Sequence, residues 1–192
     1  MYQIVLGSTS IYRKAILEKL QVPFETAKPN IDETPLAGES PEALVARLAE
    51  IKAKAVNAGT ERLVIGSDQV AVLDGEILGK PGSKDKAIEQ LLSSSGKKVS
   101  FLTGLCLLNT TTGNCQTEVD VFNVHFRRLS KAVIESYIEK ESPLDCAGSF
   151  KSEGLGIALF SKLEGNDPNS LIGLPLIRLV AMLEKEGYQI LG

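Results

Sequence analysis

Apolar residues recur along the chain at two spacings, and the switch between them marks the elements. Ile4, Val5 and Leu6 form an unbroken apolar run that predicts a short buried strand. The polar turn Gly7-Ser8-Thr9-Ser10 separates it from a helix with Ile16, Leu17 and Leu20 on one face. Strand, polar turn and helix in this order open an α/β unit. Ser40-Pro41-Glu42 predicts a second helix start, with Ser40 as N-cap, Pro41 at the first helical position and Glu42 in the first turn. Leu44, Val45, Leu48, Ile51 and Ala55 then recur at helical spacing, and Gly59 is expected to close the helix.

Further on, Leu63-Val64-Ile65 predicts a buried strand running into a Gly66-Ser67-Asp68-Gln69 turn. Strand-like residues 70–73 and 76–78 flank Asp74-Gly75, the pair that a tight type I′ hairpin prefers. A helix capped by Ser83 and ended by Gly96 comes next, then two long strand-like stretches over 99–108 and 116–127. Ser130 caps another helix through Lys140, and a last helix spans about 174–186. Helices and strands alternate throughout, with hairpins in the middle, and no repeat or linker interrupts them. The expectation is an α/β fold with a mixed β-sheet flanked by helices.

Composition narrows the function class. At 192 residues the chain suits one domain, and 43% hydrophobic with 23% charged residues is the mix of a globular protein that needs no disulfide or structural metal. A net charge of −3 argues against a nucleic-acid backbone binder, although a few local cations can still hold a small anion. No apolar run is long enough for a bilayer and no basic–apolar–small segment opens the chain, so a cytoplasmic protein with no membrane partner is expected. Cys106, Cys115 and Cys146 match no zinc spacing and suggest thiols in a reducing compartment.

Candidate chemistry collects where the apolar runs end. Gly7-Ser8-Thr9-Ser10 with Arg13 suits an anion, because small residues let backbone N–H groups approach a phosphate and Arg13 adds a fork of donors. A Ser-capped helix with a solvated Arg fits the same residues. Asp68 could bind a metal or take a proton from water, or it could bond its own turn. Asp32 and Glu33 lie between Pro29 and Pro35 in a segment too irregular for a helix; they suit either Mg²⁺ or solvent. Lys52 and Lys54 are two residues apart, so if one faces a cleft the other faces water. Lys80 in Gly79-Lys80-Pro81-Gly82 could hold an ammonium near phosphates, and solvation suits it too. A single histidine, His125, makes a His-based triad or metal site a poor fit, and no Walker A, dinucleotide-binding or nucleophile-elbow motif is present.

Taken in order, seven segments resemble the Maf family of nucleotide pyrophosphatases nearly end to end. They are Leu6-Gly7-Ser8-Thr9-Ser10 with Arg13; Asp32-Glu33; Arg47-Leu48-Ala49-Glu50-Ile51-Lys52-Ala53; and Gly66-Ser67-Asp68-Gln69-Val70. Asp74-Gly75-Glu76-Ile77-Leu78-Gly79-Lys80-Pro81, Ala147-Gly148-Ser149-Phe150-Lys151-Ser152-Glu153-Gly154 and Gly173-Leu174-Pro175 complete the set. The resemblance implies an inosine-triphosphatase-like (Maf/Ham) fold in which residues 1–192 form one domain, with two lobes around a deep cleft, and a homodimer. It also implies hydrolysis of a small nucleoside triphosphate to monophosphate and pyrophosphate with Mg²⁺ or Mn²⁺. Carried over, Asp68 is the general base, Ser8, Arg13, Lys52 and Lys80 contact phosphates, and Glu33 helps Asp68 hold the metal.

Within that family, Tyr12, Gln69 and Lys151-Ser152-Glu153-Gly154 look most like the subgroup that clears 7-methyl-GTP as a modified nucleotide. A positively charged 7-methylguanine gains a cation–π term from an aromatic face, and a carboxylate can accept from its N1–H and amino group. Tyr12 and Glu153 suit that base, with Tyr12 where the subgroup usually has Trp. A dTTP and UTP pyrophosphatase, or a nucleotide-binding regulator of cell division that scarcely hydrolyses, are the competing expectations.

Overall fold

The computed structural model describes residues 2–56 and 59–192. Strand β1 (Gln3–Leu6) leads into helix α1 (Ile11–Leu17), capped by Ser10 and continued by a 3₁₀ turn over Glu18–Leu20. A strand not foreseen from the pattern, β2 (Phe24–Thr26), follows. Helix α2 (Pro41–Ala55) begins at its Ser40 cap as expected but ends sooner: Val56 is already extended at ψ 113°, so Gly59 is not its closing residue.

The larger correction concerns Gly66-Ser67-Asp68-Gln69, which does not turn. It lies within one 12-residue strand, β3 (Arg62–Leu73). Polar side chains break a strand pattern only when they lack buried partners, and here Ser67, Asp68 and Gln69 all have them. The reversal comes later, at Asp74 (φ 52°) and Gly75 (φ 90°), where β4 (Glu76–Leu78) folds back on β3 in the expected hairpin. Then come α3 (Lys84–Ser94), β5 (Lys98–Asn109), β6 (Cys115–Phe126) and α4 (Lys131–Glu141). The chain ends with β7 (Phe160–Glu164), α5 (Pro168–Ile172) and α6 (Leu176–Lys185), of which only α6 was expected, two residues longer at its start.

Among the described residues the strands follow the order β2-β1-β3-β5-β6-β7, with β4 paired on β3. β1 is parallel to β2 and β3, whereas β4 and β7 are antiparallel to their neighbours, so the sheet is mixed as anticipated. The chain divides into two compact units, and β3, β5 and β6 contribute to both.

In the first unit (1–69, 103–120 and 167–192) the strands are apolar on both faces because both are covered. Ile4, Leu6, Leu63, Ile65, Leu105 and Leu107 pack with Ile16 and Leu17 of α1 and Leu179, Met182 and Leu183 of α6. The alternate residues Val5, Val64 and Cys106 meet Ala49 and Ala53 of α2. The helix lies very close to the sheet. A Cβ on Gly66 would come within 2.0 Å of the Ala49 carbonyl oxygen, and one on Gly104 within 2.1 Å of that of Val45. Two glycines therefore set the depth at which α2 rests on β3 and β5.

In the second unit (70–102 and 121–166) Phe101, Phe126, Phe150 and Phe160 form an edge-to-face cluster with centroids 4.8 to 5.7 Å apart. Gly148 is left-handed (φ 74°), and a Cβ there would sit 3.2 Å from Phe101. Leu91 of α3 and Ile134 of α4 are buried in the same unit.

Candidate active site

The last register pair between β1 and β3 is Leu6 with Ile65. Asp68 lies past that pair, beyond the C-terminal end of a parallel strand pair, where open α/β sheets bind their ligands. Its carboxylate is buried and accepts from the Lys52 ammonium, Nζ to Oδ1 2.6 Å. Lys52 is itself 6% exposed, near the C-terminal end of α2, and its second anion is Glu33, 2.8 Å away at Oε1. The expected split between the two lysines holds: Lys54 points outward to Glu50 on its own helix.

Glu33 is itself exposed and meets Lys52 from an anchored loop. Asp32, the other acid, is turned to local work and accepts from the Thr34 backbone (2.9 Å) and hydroxyl (2.6 Å), bonds that hold its carboxyl below the usual range. Arg47 of α2 grips Glu39 through two bonds of 2.6 and 2.7 Å and also donates to the Thr34 carbonyl. This fork pulls the Glu39 carboxyl down to about 2. The two adjacent acids thus part company: Asp32 is bound to its own loop and Glu33 is paired with Lys52.

Arg13 joins the group from α1. Removal from water presses its guanidinium below the ordinary value, while Asp68 and Glu33 act in the opposite sense, so the three charges are within electrostatic reach. Two cations and two carboxylates therefore meet in one unit, balanced in charge. Ser8 is buried at the end of β1, and its oxygen accepts from the Ser10 N–H at 3.1 Å. Gly7 lies against the Lys52 carbonyl, where a Cβ would be 3.3 Å away. The N–H groups of Gly7, Ser8 and Ser10 all bond within the protein, so the loop cannot offer those three to a phosphate. Any anion grip at this point comes chiefly from side chains.

Gln69 is anchored as well. Its amide nitrogen donates toward Thr103 Oγ1 (2.8 Å) and the carbonyls of Ser170 (2.7 Å) and Leu171 (3.2 Å). Tyr12 is half-buried at the start of α1. Lys80 and Glu153 belong to the second unit and are exposed, Lys80 in the loop after β4 and Glu153 beside the Ser152 hydroxyl at 3.3 Å.

Sequence reasoning missed two contributors. One is Arg47, whose loop anchor has no motif of its own. The other is the carbonyl of Gly173, which accepts from Arg13 Nε at 2.8 Å and from the Ser67 hydroxyl at 2.9 Å.

As to metals, no cluster of three or more His, Cys, Asp or Glu side chains exists among the described residues. Glu33 and Asp68 still fit a hard divalent cation, because Mg²⁺ takes one or two carboxylates and completes its shell with water and substrate phosphates. No helix among the described residues is long and apolar enough to cross a membrane.

Residues 3–186 match the family model described as Maf-like protein. The 7-methyl-GTP pyrophosphatase of Vibrio cholerae serotype O1 is 58% identical over 190 residues, covering 99% of this chain and 98% of that protein. The 7-methyl-GTP pyrophosphatase of Vibrio vulnificus is 56% identical over 191 residues, covering 100% and 98%. Among solved structures, a HAM1 protein from Coxiella burnetii superposes with a TM-score of 0.55 at 16% identity, over 96% of this chain and all of that one. The Ham1 protein of Staphylococcus aureus gives 0.53 at 18%, over 96% and 99%. At that identity the likeness concerns the fold, which is of the Ham1 type.

Proposed function

The chain belongs to the Maf family, and from that premise we propose that it hydrolyses 7-methyl-GTP between the α- and β-phosphates, yielding 7-methyl-GMP and pyrophosphate. Support comes first from two relatives of that name that match essentially the whole chain at 56–58% identity. Neither competing expectation, pyrimidine hydrolysis or regulation without turnover, finds support in those names.

The observation that carries the chemistry is the Lys52 ammonium held between Asp68 and Glu33 at 2.6 and 2.8 Å. A polyphosphate and a divalent cation arriving together can exchange partners with this charge-balanced group. The two carboxylates would hold the cation and the two basic side chains would face phosphate oxygens, so that neither buried Asp68 nor buried Lys52 is left without an opposite charge. Mg²⁺ or Mn²⁺ held by Glu33 and Asp68 would neutralise the triphosphate and make water more acidic. Arg13, Lys52, Lys80 and the Ser8 hydroxyl would hold the phosphates, Lys80 being assigned on the resemblance alone. Water then attacks the α-phosphorus, its proton passes to the Asp68 carboxylate, and the bond to the bridging oxygen breaks with pyrophosphate as the leaving group.

For base selection, Tyr12 would stack on the cationic 7-methylguanine; Glu153, assigned on the resemblance alone, would accept from its N1–H and amino group. Gln69 has committed its amide nitrogen to the protein, so it would contribute through its carbonyl oxygen or by shaping the floor.

The decisive experiment is Asp68→Asn. Nucleotide affinity should stay within a few-fold while turnover falls roughly 10²- to 10⁴-fold, the range of a lost general base. Unchanged turnover overturns the assignment. Parallel assays with 7-methyl-GTP, GTP, dTTP and UTP test the substrate: a pyrimidine turned over fastest rejects 7-methyl-GTP.

A further inference from the structure

Arg13 holds its phosphate-facing fork only if something fixes the plane of its guanidinium, and the structure supplies a fixture on the segment Ile172-Gly173-Leu174-Pro175. Gly173 closes α5 in the left-handed region at φ 114°, its N–H bonded back to Asn169 and Ser170. This geometry leaves its carbonyl oxygen to accept from Arg13 Nε at 2.8 Å. The same oxygen lies 2.9 Å from the hydroxyl of Ser67, a fully buried residue directly before Asp68, whose single proton is shared between this carbonyl and that of Gly104, also at 2.9 Å.

The platform under that carbonyl is tied down on every side. Gln69 and the Thr103 hydroxyl (3.0 Å) both donate to the Ser170 carbonyl. The Ser170 hydroxyl donates to buried Asp120 at 2.5 Å, and Asp120 in turn holds Arg178 Nε at 2.6 Å. Asp167 caps both α5 and α6 through the N–H groups of Asn169 and Ile177, each 2.8 Å away. A side chain at Gly173 would intrude on this contact, since a Cβ would stand 3.2 Å from Arg13 Nε.

We propose that Ser67 and Gly173 are positioning residues for Arg13. The α5 cap presents a carbonyl that consumes the Nε–H, Ser67 fixes that carbonyl, and the four N–H bonds of the two Nη atoms remain for bidentate contact with phosphate. Ser67 thereby links the strand that carries the general base to the helix that carries the phosphate fork. The assignment deepens the hydrolase reading and rests on Arg13 being a phosphate contact.

The test is a double-mutant cycle on the intact protein with 7-methyl-GTP and Mg²⁺. Ser67→Ala should raise KM by about 2- to 10-fold with kcat changed far less, the scale of one hydrogen bond between neutral groups. In an Arg13→Ala background the same Ser67→Ala change should do nothing further. Gly173→Ala, made separately, should show the same dependence on Arg13, so the result survives failure of either variant to fold. An equal factor in both backgrounds, or no effect of Ser67→Ala and Gly173→Ala on KM in the parent, overturns the positioning role. Arg13→Ala alone reads the other premise: if it leaves KM unchanged, the phosphate contact assigned to Arg13 falls instead.

Discussion

Lys52 Nζ stands 2.6 Å from Asp68 Oδ1, and both side chains are shielded from water. An ammonium so placed was selected by geometry on α2. Residue 52 is carried inward because Gly66 and Gly104 let the helix sink onto the sheet, and Lys54, two positions on, is carried out. Truncating Lys52 takes from the buried Asp68 carboxylate its hydrogen-bonded cation and leaves only Arg13 in reach, a loss of up to about 3–5 kcal/mol when a buried pair is broken at one end. Lys52→Met should therefore lower the melting temperature and cut kcat/KM by at least about 10²-fold. Urea unfolding beside steady-state kinetics checks both; a fully stable, fully active variant contradicts the role.

Gly66→Ala tests the seating of α2 itself. The new methyl would meet the Ala49 carbonyl at 2.0 Å, a backbone group that cannot rotate away. Overpacking of this kind costs about 1–3 kcal/mol or more, and the helix must lift with Lys52 on it. Stability and kcat/KM should fall together. A variant that loses stability and keeps full activity shows that Lys52 does not need this depth.

Much of this was readable from the residues. The unbroken apolar runs Ile4-Val5-Leu6 and Leu63-Val64-Ile65 announced buried strands, and Ser40, Ser83 and Ser130 announced helix starts that the structure keeps. The Gly66–Gln69 stretch was misread because glycine and polar residues signal a turn only when water is their partner. Here Ala49, Gly104, Gly173 and Lys52 take that place from elements distant in sequence. β2 at three residues and α5 at five are too short for any period to show, and α5 is held by tertiary bonds rather than propensity. Arg47 was legible only as part of a motif. Its partner Glu39 sits eight residues back across a loop, and no spacing rule connects them.

The Arg47–Glu39 fork makes a prediction in acid. Glu39 has its carboxyl drawn from 4.5 to about 2 by Arg47 first and by the Leu36 N–H second. A carboxyl lowered in the folded state stabilises it fully above its unfolded value and loses that contribution as pH falls toward the folded one. The window is therefore pH 4.5 down to about 2. Glu39→Gln should flatten the fall in melting temperature across that range and, by freeing the Glu33 loop, raise the Mg²⁺ concentration needed for half-maximal activity. An unaltered acid profile rules out the pairing.

Cys146 should be a slow thiol. Burial pushes the Cys146 thiol up to about 12, with Asp145 adding to the shift, and burial likewise raises Cys106. Only the thiolate is nucleophilic, so about one Cys146 in ten thousand is reactive at pH 8. Iodoacetamide labelling of Cys146 should be slow there and accelerate about tenfold per pH unit through pH 10. Rapid labelling at neutral pH would reveal a more open site.

The preference for a methylated base puts Tyr12 to the strictest test, because 7-methyl-GTP and GTP differ by one methyl group and one positive charge. Shape alone discriminates poorly at that scale, whereas an aromatic face on which either base can stack gains about 0.5–2 kcal/mol more from the cation. Tyr12 stands at the start of α1, one residue before Arg13, the proposed phosphate contact, so ring and fork are fixed on the same turn. Tyr12→Leu should reduce the ratio of kcat/KM for 7-methyl-GTP over GTP by about 2- to 30-fold, the equivalent of that energy, because GTP loses only the stacking that both bases share. Tyr12→Trp should raise the ratio, since the indole is the stronger partner. A ratio that ignores all such changes would mean that charge is read elsewhere, and Glu153→Gln would then be the variant that moves it.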